Sequence, residues 1–505
     1  LGNIDWEKTE LLFSEHHLSH AASSFFASPF EKSAILTIDG VGEWTTASIG
    51  MGESNKIKIL KELHFPHSVG LLYSSFTYFL GFTVNSGEYK LMGLAPYGNA
   101  EDDETKKFIE IIKTQLVDIK PDGSIFLNKK MFSFCHKLKM VNAKKWENMF
   151  SITRRKPEEE ISQSHCNLAY SIQKVTEEII LKMAQTAYNL TKASNLCLAG
   201  GVALNCVANG LLLKEKTFKN IYIQPASGDA GGALGAALAV HYLYFENQRH
   251  TDEINDQMKG SLLGPDYTDE DVDKMNRFFK TVYKKQDNFD AMAEFIAEKI
   301  ANGNIVGWFQ GRMEFGPRAL GNRSILGDSR NPDMQQKMNL KIKFREGFRP
   351  FAPAVLAEEV QNYFEMDVSS PYMLMVAPVV FDRRKKLANN YNELPLKEKL
   401  KTPRSDIQAV THIDFSARIQ TVHKNTNPKF YTLINAFKNI TDYGIVVNTS
   451  FNVRGEPIVC SPQDAYLCFM ATDMDYLVIN NYIYSKIEQT DYNNNEKWKR
   501  NIIND

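Results

Sequence analysis

The amino-acid sequence lacks the features that mark a membrane protein or a nucleic-acid-binding protein. None of its apolar runs is long enough to span a bilayer, and no basic-then-apolar leader opens the chain. Its 59 basic and 60 acidic residues leave a net charge of -1, so no overall field attracts nucleic acid or an anionic lipid surface. The neutral net charge still allows local pockets with an excess of basic residues. We expect a cytoplasmic protein without a membrane partner, and the charge balance argues against a nucleic-acid partner.

Cysteine is scarce, and its spacing excludes a zinc finger. The six cysteines are Cys135, Cys166, Cys197, Cys206, Cys460 and Cys468. No two of them have the spacing of a metal-binding pair, and Cys197 and Cys206 lie among apolar or small residues. This usage predicts reduced thiols in a cytosolic protein. Internal repeats are absent as well.

The length of 505 residues, 43% of them hydrophobic, predicts two to four domains with ample material for their cores. A polar stretch with Gly and Pro at 246–266 predicts a domain boundary there. We therefore expect one domain at 1–250 and a second at 251–505. Residues 101–165 are lysine-rich and polar, and we expect an irregular insertion in the first domain.

The order of the predicted elements in the first half is typical of an α/β domain. SAILTID and WTTASIGM predict a hairpin, and a helix is predicted from Leu168 with one apolar stripe. NLCLAGG and IYIQPAS predict buried strands, each followed by a glycine turn and a helix. In the second half, NIVGWFQ, YMLMVAPVVF, YGIVVNTSF and DYLVINNYIY predict strands, and Thr268 and Ser461 predict helix N-caps.

Three histidines lie in the short segment SEHHLSHAASSF at residues 14–25. His16 and His20 are four apart, so they share one face of the predicted helix, and Asp39 follows an apolar run downstream. Imidazole and carboxylate ligands suit Fe(II), Mn(II) or Zn(II) better than calcium. The segment predicts either half of a metal site or a polar helix face with satisfied histidines. His17 points elsewhere in both cases.

Two glycine turns follow predicted strands. In AGGVALNCVANG, Gly200 and Gly201 would let the backbone approach a phosphate or ribose, and Asn205 could hydrogen-bond a nucleotide. In ASGDAGGALGAAL, Asp229 is either an N-cap or a fourth metal ligand. A tight strand-helix connection explains either turn alone. Together they resemble the nucleotide cleft of the actin and hexokinase fold.

A basic cluster occupies the second half, in GRMEFGPRALGNRSIL and KIKFREGFRPFAPAVL. Its members are Arg312, Arg318, Arg323, Lys343, Arg345 and Arg349. These cations alternate with Gly, Pro and apolar residues, which predicts partly buried charges that need anionic partners. A guanidinium group can donate two parallel hydrogen bonds to the oxygens of one phosphate or carboxylate. A solvated charged face and stacking on RNA are the alternatives, and the neutral net charge favours a small phosphorylated ligand.

The turn NTSFNVRG, which follows a predicted strand, adds polar groups that could hold a triphosphate or its magnesium. Asn448, Ser450 and Asn452 supply amide and hydroxyl oxygens. Arg418, in HIDFSARIQTV, is a further phosphate ligand candidate. A plain polar turn is the alternative.

Eight ordered motifs resemble one family. They are HHLSHAAS, LTIDGVGEW, SGEYKLMGLAPYG, GGVALNC, SGDAGGALGAA, EFGPRALGNRSIL, FREGFRPFAPAV and NTSFNVRGEPIV. Together, from about Ser14 to about Ile479, they resemble the ATP-dependent O-carbamoyltransferases of nodulation-factor and antibiotic biosynthesis.

The resemblance implies an α/β fold with two domains. The first would be an actin/hexokinase-like domain similar to the threonylcarbamoyl transferase of tRNA modification, and the second an α+β YrdC-like domain. The family's second domain joins carbamoyl phosphate and ATP into carbamoyl-adenylate. Its first domain transfers the carbamoyl group to a hydroxyl with a bound iron. Fe(II), or Mn(II) or Zn(II), and Mg(II) with ATP are the implied cofactors.

Site residues follow by resemblance. The metal ligands would be His16, His20, Asp39 and Asp229, and the nucleotide turn Gly200, Gly201 and Asn205. The adenylate-forming pocket would contain Arg318, Lys343, Arg349, Arg418 and Ser450, with Arg345 and Asn452 as further members.

The chain departs from the family in two places. The His-Asp-Ser-Ala motif, which in the family lies about a hundred residues upstream, does not precede Leu1, so we expect the first domain to lack its N-terminal part. Phe415 stands where the family usually has glycine. The acceptor, which could be a sugar, an antibiotic or another secondary metabolite, is not named by the sequence, although 101–165 could contact it. A homodimer stays open. Rival functions are an actin-fold sugar kinase, threonylcarbamoyl transfer to tRNA, and a binding module without catalysis.

Overall fold

The computed structural model describes residues 8–389, 391 and 394–489. In chain order its strands are β1 (Lys32–Ile38), β2 (Thr45–Glu53), β3 (Lys56–His64), β4 (Val117–Ile119), β5 (Ile125–Leu127), β6 (Asn195–Ala199), β7 (Asn220–Ile223), β8 (Lys284–Lys285), β9 (Val306–Phe309), β10 (Arg323–Asp328), β11 (Ala352–Leu356), β12 (Met375–Pro378), β13 (Ser416–Val422), β14 (Ile445–Ser450), β15 (Tyr476–Ile479) and β16 (Tyr482–Ser485).

The α-helices, also in chain order, are α1 (His16–Phe25), α2 (Val69–Phe79), α3 (Glu88–Leu94), α4 (Asp103–Ile111), α5 (Ala143–Phe150), α6 (Gln163–Thr191), α7 (Cys206–Glu215), α8 (Asp229–Ala239), α9 (Asp269–Phe279), α10 (Phe289–Ala301), α11 (Met334–Lys341), α12 (Val360–Tyr363), α13 (Leu396–Lys401), α14 (Pro428–Thr441) and α15 (Pro462–Ala471). Nowhere in these described residues is a helix both long and apolar enough to cross a membrane.

The chain forms two compact units. The first contains described residues 8–75, 111–142 and 174–257, and the second contains 76–110, 143–173 and those from 258 onward. The last change of unit therefore falls inside the predicted boundary region at 246–266. The chain also enters the second unit twice before that point, at 76–110 and 143–173. The functional division into 1–250 and 251–505 stays a prediction.

The first unit is built on a five-stranded mixed sheet in the order β3-β2-β1-β6-β7. β1 and β2 form the predicted hairpin, with Lys32 opposite Glu53 and Ile38 opposite Ala47. β1, β6 and β7 run parallel, so their carboxyl ends lie at one edge of the sheet. Ligands of open α/β sheets bind at such an edge. Asp39 and both predicted glycine turns follow these three strands.

The predicted helix from Leu168 is α6, and its apolar stripe is buried: Ile172, Val175, Ile179 and Met183. The prediction of an irregular segment at 101–165 was wrong. The segment contains α4, α5 and the hairpin of β4 and β5. The lysine-rich composition made a few large apolar residues at helical spacing easy to overlook. Trp146 and Phe150 of α5 are buried, and Phe108 of α4 packs edge-on against Phe150 at 5.5 Å.

The second unit contains a nine-stranded mixed sheet in the order β12-β13-β11-β14-β10-β9-β15-β16-β8. The predicted strands at β9, β12 and β14 are confirmed, and DYLVINNYIY forms two strands that turn at Asn480, where φ is +50°. α10 and α14 cover the core around Trp308, Phe430 and Phe437. The predicted N-caps Thr268 and Ser461 are confirmed, each with a reciprocal capping box.

Candidate functional site

Helix α1 presents the histidine segment at the carboxyl edge of the first sheet. The backbone N–H of His16 donates to both carboxylate oxygens of Glu43, at 3.0 and 3.2 Å, so a side chain from the turn after β1 caps the first helical turn. Gly42 makes this approach feasible, because a Cβ there would lie 2.9 Å from the His16 Cβ. The turn and the helix are thereby fixed to each other.

Asp39 follows β1 and is held by the first glycine turn. Its Oδ1 accepts from the backbone N–H groups of Gly40 at 2.8 Å and Gly201 at 3.1 Å. Its Oδ2 lies 3.0 Å from His16 Nε2 and 3.1 Å from His20 Nε2. The glycine turn after β6 therefore orients the carboxylate that faces both imidazoles.

Asp229 reaches the same point from the first turn of α8. Its Oδ1 lies 3.6 Å from His16 Nε2 and 3.8 Å from His20 Nε2. The N-cap of α8 is Gly228, so the N-cap alternative for Asp229 was wrong. α8 packs directly on α1, because a Cβ at Gly235 would lie only 1.8 Å from the Ser19 carbonyl oxygen.

The four side chains fit a divalent metal ion. Ligand atoms of His16, His20, Asp39 and Asp229 all lie within 4.8 Å of one another. The two Nε2 atoms are 3.0 Å apart, and both face one carboxylate oxygen. When both imidazoles donate to that oxygen, no proton is left for the contact between the two nitrogens, so hydrogen bonds alone do not account for the cluster. Two nitrogens and two oxygens form the donor set that Fe(II), Mn(II) and Zn(II) accept.

The electrostatics of this cluster follow from its hydrogen bonds. Burial acts to raise the pKa of Asp39, but hydrogen bonds with His16 and His20 hold that pKa well below its usual range. The hydrogen bond with Asp39 raises the pKa of His16 against the effect of burial. His17 points elsewhere, as predicted, with Nδ1 2.6 Å from Thr37 Oγ1. Burial, with the neighbouring His20, lowers the pKa of His17 to about 4.

The rest of the predicted nucleotide turn lies next to the metal cluster. Gly200 has φ +91°, and a Cβ there would lie 2.2 Å from the Ile38 carbonyl oxygen, so only glycine fits between β6 and β1. Asn205 Oδ1 accepts from the Ala208 N–H at 3.1 Å and caps α7. Contacts of Gly200, Gly201 and Asn205 with a nucleotide stay a prediction.

In the second unit, Lys343 joins two other predicted pocket residues. Its buried Nζ donates to the Asn452 carbonyl oxygen at 2.9 Å, to Asn452 Oδ1 at 2.8 Å and to Ser450, where Oγ is 3.2 Å away. In the described part of the chain no carboxylate lies within 4.0 Å of this ammonium group. Burial, with the like charges of Arg345 and Arg349, holds the pKa of Lys343 well below its usual range.

The predicted arginines Arg345, Arg349 and Arg418 lie near each other. Arg345 donates from Nε to Asn339 Oδ1 at 2.7 Å, and burial together with the charges of Arg349 and then Arg418 lowers its pKa. The Arg349 guanidinium stacks on the Tyr89 ring at 4.7 Å. Several cations buried this close together indicate a site for an anion.

Two other members of the basic cluster have structural contacts, and the place of Arg318 in the pocket stays a prediction. Arg312 donates to the carbonyl oxygens of Leu263 and Gly264, and the fully buried Arg323 stacks over Phe309 and donates to Gln310. Arg318 lies half-buried in the loop that precedes β10. The amide of Asn448 is buried within the sheet, where it donates to Gln420 and Ala319.

We call the site around Lys343, Arg345 and Arg349 the basic pocket. Sequence reasoning missed three of its members, Lys90, Glu346 and Arg454. Glu346 joins the other two to Arg349 through contacts of 3.8 Å. Lys90 stands within a motif that was quoted only for its resemblance, whereas Glu346 and Arg454 stand within segments that were discussed for other residues. A charged residue inside an otherwise apolar stretch, such as Lys90 in EYKLMGLAPY, was the available signal, because a charge that is buried with its apolar neighbours needs an ionic or hydrogen-bonding partner. The spacing could not show that 85–98 joins the second unit.

Family models match most of the chain. The model described as "Carbamoyltransferase N-terminus" matches residues 4–238, and "Carbamoyltransferase C-terminus" matches residues 297–486. The chain belongs to the carbamoyltransferase family. The family is one of transferase enzymes, and the predicted resemblance is confirmed.

Relatives of this carbamoyltransferase family member cover most of its length. "Uncharacterized protein sll1178" of Synechocystis sp. is 54% identical over 97% of this chain and 78% of its own. "Nodulation protein NolO" of Bradyrhizobium diazoefficiens is 34% identical over 93% of this chain and 78% of its own. The "3'-hydroxymethylcephem-O-carbamoyltransferase" of Amycolatopsis lactamdurans is 28% identical over 65% of this chain and 56% of its own.

Proposed function

We propose that this carbamoyltransferase is an ATP-dependent O-carbamoyltransferase. It forms carbamoyl-adenylate from carbamoyl phosphate and ATP in the basic pocket of the second unit. It then transfers the carbamoyl group to a hydroxyl of a small-molecule or sugar acceptor at the metal cluster of the first unit. The supporting observation is that one family member carries both a two-His, two-Asp cluster and a pocket of buried cations.

The two units would correspond to the two domain types of the resemblance. The parallel strands β1, β6 and β7, with Asp39 and the glycine turns at their carboxyl ends, support an actin-like transfer domain. The nine-stranded mixed sheet, with Lys343 and the arginines, supports a YrdC-like adenylate-forming domain. Relatives named for nodulation and for a cephem support a small-molecule acceptor.

Adenylate formation must balance. Carbamoyl phosphate and water give carbamate and inorganic phosphate, and a carbamate oxygen then attacks the α-phosphorus of ATP, from which pyrophosphate leaves. Carbamoyl phosphate, carbamate and ATP are all anionic, so repulsion between negative charges opposes their approach. Arg345, Arg349 and Arg418 reduce this repulsion, because cations fixed in a low-dielectric pocket stabilise developing phosphate charge without reorganising. Mg(II) with ATP acts in the same sense.

Transfer joins the acceptor oxygen to the carbamoyl carbon, while AMP leaves and the hydroxyl loses its proton. His16, His20, Asp39 and Asp229 would hold Fe(II), or Mn(II) or Zn(II), which when bound polarises the carbamoyl oxygen or neutralises the adenylate phosphate. The chain's own part is to fix that centre: Gly201 orients Asp39, and Glu43 fixes the start of α1.

The decisive experiment is carbamoyl phosphate-dependent release of pyrophosphate from ATP. The chain should release pyrophosphate only when both substrates are present. Arg349→Ala should lower the rate at least about 100-fold, because removing a charge-assisted contact in such a site costs about 3 kcal/mol. Arg330→Ala is the matched control, since Arg330 pairs with Asp328 at 2.7 Å outside the described pocket. Absence of release, or equal rates in both variants, would contradict the proposal.

A further inference from the structure

One carboxylate lies among three cations of the second unit without a hydrogen bond to any of them. Glu346 Oε1 lies 3.8 Å from Lys90 Nζ and 3.8 Å from Arg454 Nη2. Glu346 Oε2 lies 3.8 Å from Arg349 Nη1. These distances exceed a hydrogen bond, and within the described residues the buried Oε2 has no hydrogen-bond partner. Glu346 is held by charge and not by directed bonds.

Lys90 reaches this carboxylate because α3 is anchored to the segment that carries Glu346. Tyr97, in the turn after α3, donates from its hydroxyl to the Phe348 carbonyl oxygen at 2.9 Å. Tyr89 supplies the ring on which Arg349 stacks. The Lys90 side chain is only 3% exposed, so its ammonium group is enclosed in the pocket.

Several cations lie close together around Glu346. Arg454 is shared with Glu158, whose Oε1 lies 2.5 Å from Nη2, and Glu158 is half-exposed. In the part of the chain that the structure describes, Arg345 has no carboxylate within 4.0 Å. Burying like charges this close together is costly, and a bound anion lowers that cost. A phosphoryl group brings about two negative charges and three acceptor oxygens, which suit the donors of a lysine and two arginines.

We propose that Glu346 is an internal counter-ion that a phosphoryl group replaces, and that Lys90, Arg349 and Arg454 then bind this group. The inference deepens the proposed function and rests on it for the source of the phosphate, which is either carbamoyl phosphate or ATP. Without ligand, Glu346 limits repulsion among the three cations. With ligand, its side chain moves aside, and the loose contacts at 3.8 Å are exchanged for direct hydrogen bonds.

The proposal predicts effects of opposite sign at two touching residues. Glu346→Gln keeps the side-chain shape and removes a competing anion, so the affinity for inorganic phosphate should rise about tenfold. Lys90→Met keeps the apolar stem and removes a ligand cation, so the affinity should fall about tenfold. A purely structural ion pair predicts that both variants bind phosphate no better than the parent chain.

The measurement is calorimetric titration of the full chain with inorganic phosphate, together with its thermal unfolding. Glu359→Gln is the matched control, because the Glu359 side chain is also 18% exposed and pairs with a lysine, Lys438, outside the pocket. Glu359→Gln should lose stability without a change in phosphate affinity. Repeating the titration with carbamoyl phosphate and with ATP identifies the source, since only the ligand whose phosphate replaces Glu346 should show both effects.

Misfolding of a variant still gives an answer. If Glu346→Gln is unfolded in the absence of phosphate, its folding at saturating phosphate supports the proposal. If phosphate does not restore folding of this variant, the proposal is contradicted. If Lys90→Met unfolds, the double variant with Glu346→Gln removes the carboxylate together with the lysine and should bind phosphate about tenfold more weakly than Glu346→Gln. Equal affinities would overturn the part of Lys90.

The proposed function and this inference fail separately. Pyrophosphate release with unchanged phosphate affinity in Glu346→Gln would overturn the inference alone. Opposite shifts in phosphate affinity in a chain that never releases pyrophosphate would overturn the proposed function alone.

Discussion

At the scale of single residues, Phe415 adopts a backbone conformation that suits glycine. Its φ is +63°, within a turn in which its N–H donates to the His412 carbonyl oxygen at 3.0 Å. A residue with a Cβ in this left-handed region is strained by about 1 kcal/mol. A phenylalanine at this position therefore has a physical cost. The Phe415 ring offsets part of it through the Arg384 guanidinium, 5.4 Å away.

Phe415→Gly should be more stable than Phe415→Ala by about 1 kcal/mol, because both lose the ring and only alanine keeps the backbone strain. Urea unfolding of the two variants measures this difference. The control is Phe278, which is 77% exposed on α9, where alanine should exceed glycine by about 1 kcal/mol. The same order at both positions would show that Phe415 carries no strain.

The metal cluster shows what a single sequence reveals about residues. The spacing of His16 and His20 predicts that they share a helix face, and the structure agrees. Nothing in the spacing shows that Asp229 joins them, because that contact depends on the packing of α8 against α1. The residues alone therefore left Asp229 as either an N-cap or a metal ligand, and the resemblance implied the ligand. Lys90 was missed for the same reason, since its partner Glu346 lies far along the chain.

At the scale of elements, strongly periodic stretches were predicted well and mixed ones were not. The β1–β2 hairpin, α6 and the strand-turn-helix units around β6 and β7 have clear apolar patterns, and all of them are present. α4 and α5 were missed because charged residues of both signs are frequent in them and only one narrow face is buried. β15 and β16 were merged, since the turn at Asn480 carries no glycine or proline.

The glycines of α8 supply a test at this scale. Gly235→Ala places a Cβ against the Ser19 carbonyl oxygen, so α8 must move away from α1, at a cost of about 2 kcal/mol or more. Asp229 moves with the helix, and stabilisation by added Mn(II) should decrease. Gly232→Ala is the matched control: it meets no atom within 4 Å and should gain about 1 kcal/mol from helix propensity.

Thermal unfolding with and without Mn(II) measures both the stability of each variant and its stabilisation by Mn(II). A ligand that binds only the folded state raises the stability of that state by an amount set by its affinity. A Gly235→Ala variant as stable and as responsive to Mn(II) as Gly232→Ala would show that close packing of the two helices does not position Asp229.

At the scale of the whole molecule, the metal cluster and the basic pocket belong to different compact units. The proposed reactions should therefore be separable by substitution. His20→Ala removes one nitrogen of the proposed metal site from the first unit, where the His20 side chain is 1% exposed. It leaves Lys343, Arg345 and Arg349 of the second unit unchanged.

His20→Ala should lower carbamoyl transfer at least about 100-fold, because even residues that only orient a metal ligand contribute 10- to 100-fold. Pyrophosphate release should stay within about twofold of the parent rate, since the charges that stabilise adenylate formation are intact.

The substitution separates the two reactions better than a chelator does, because a chelator also removes the magnesium that accompanies ATP. His64→Ala is the control, since His64 is an exposed histidine of the same unit that pairs only loosely with Glu62, at 3.4 Å. Rates of both reactions, metal content and circular dichroism are measured on the same preparations. If His20→Ala folds and loses pyrophosphate release together with transfer, the metal cluster serves both reactions, and the division of chemistry between the two units is wrong.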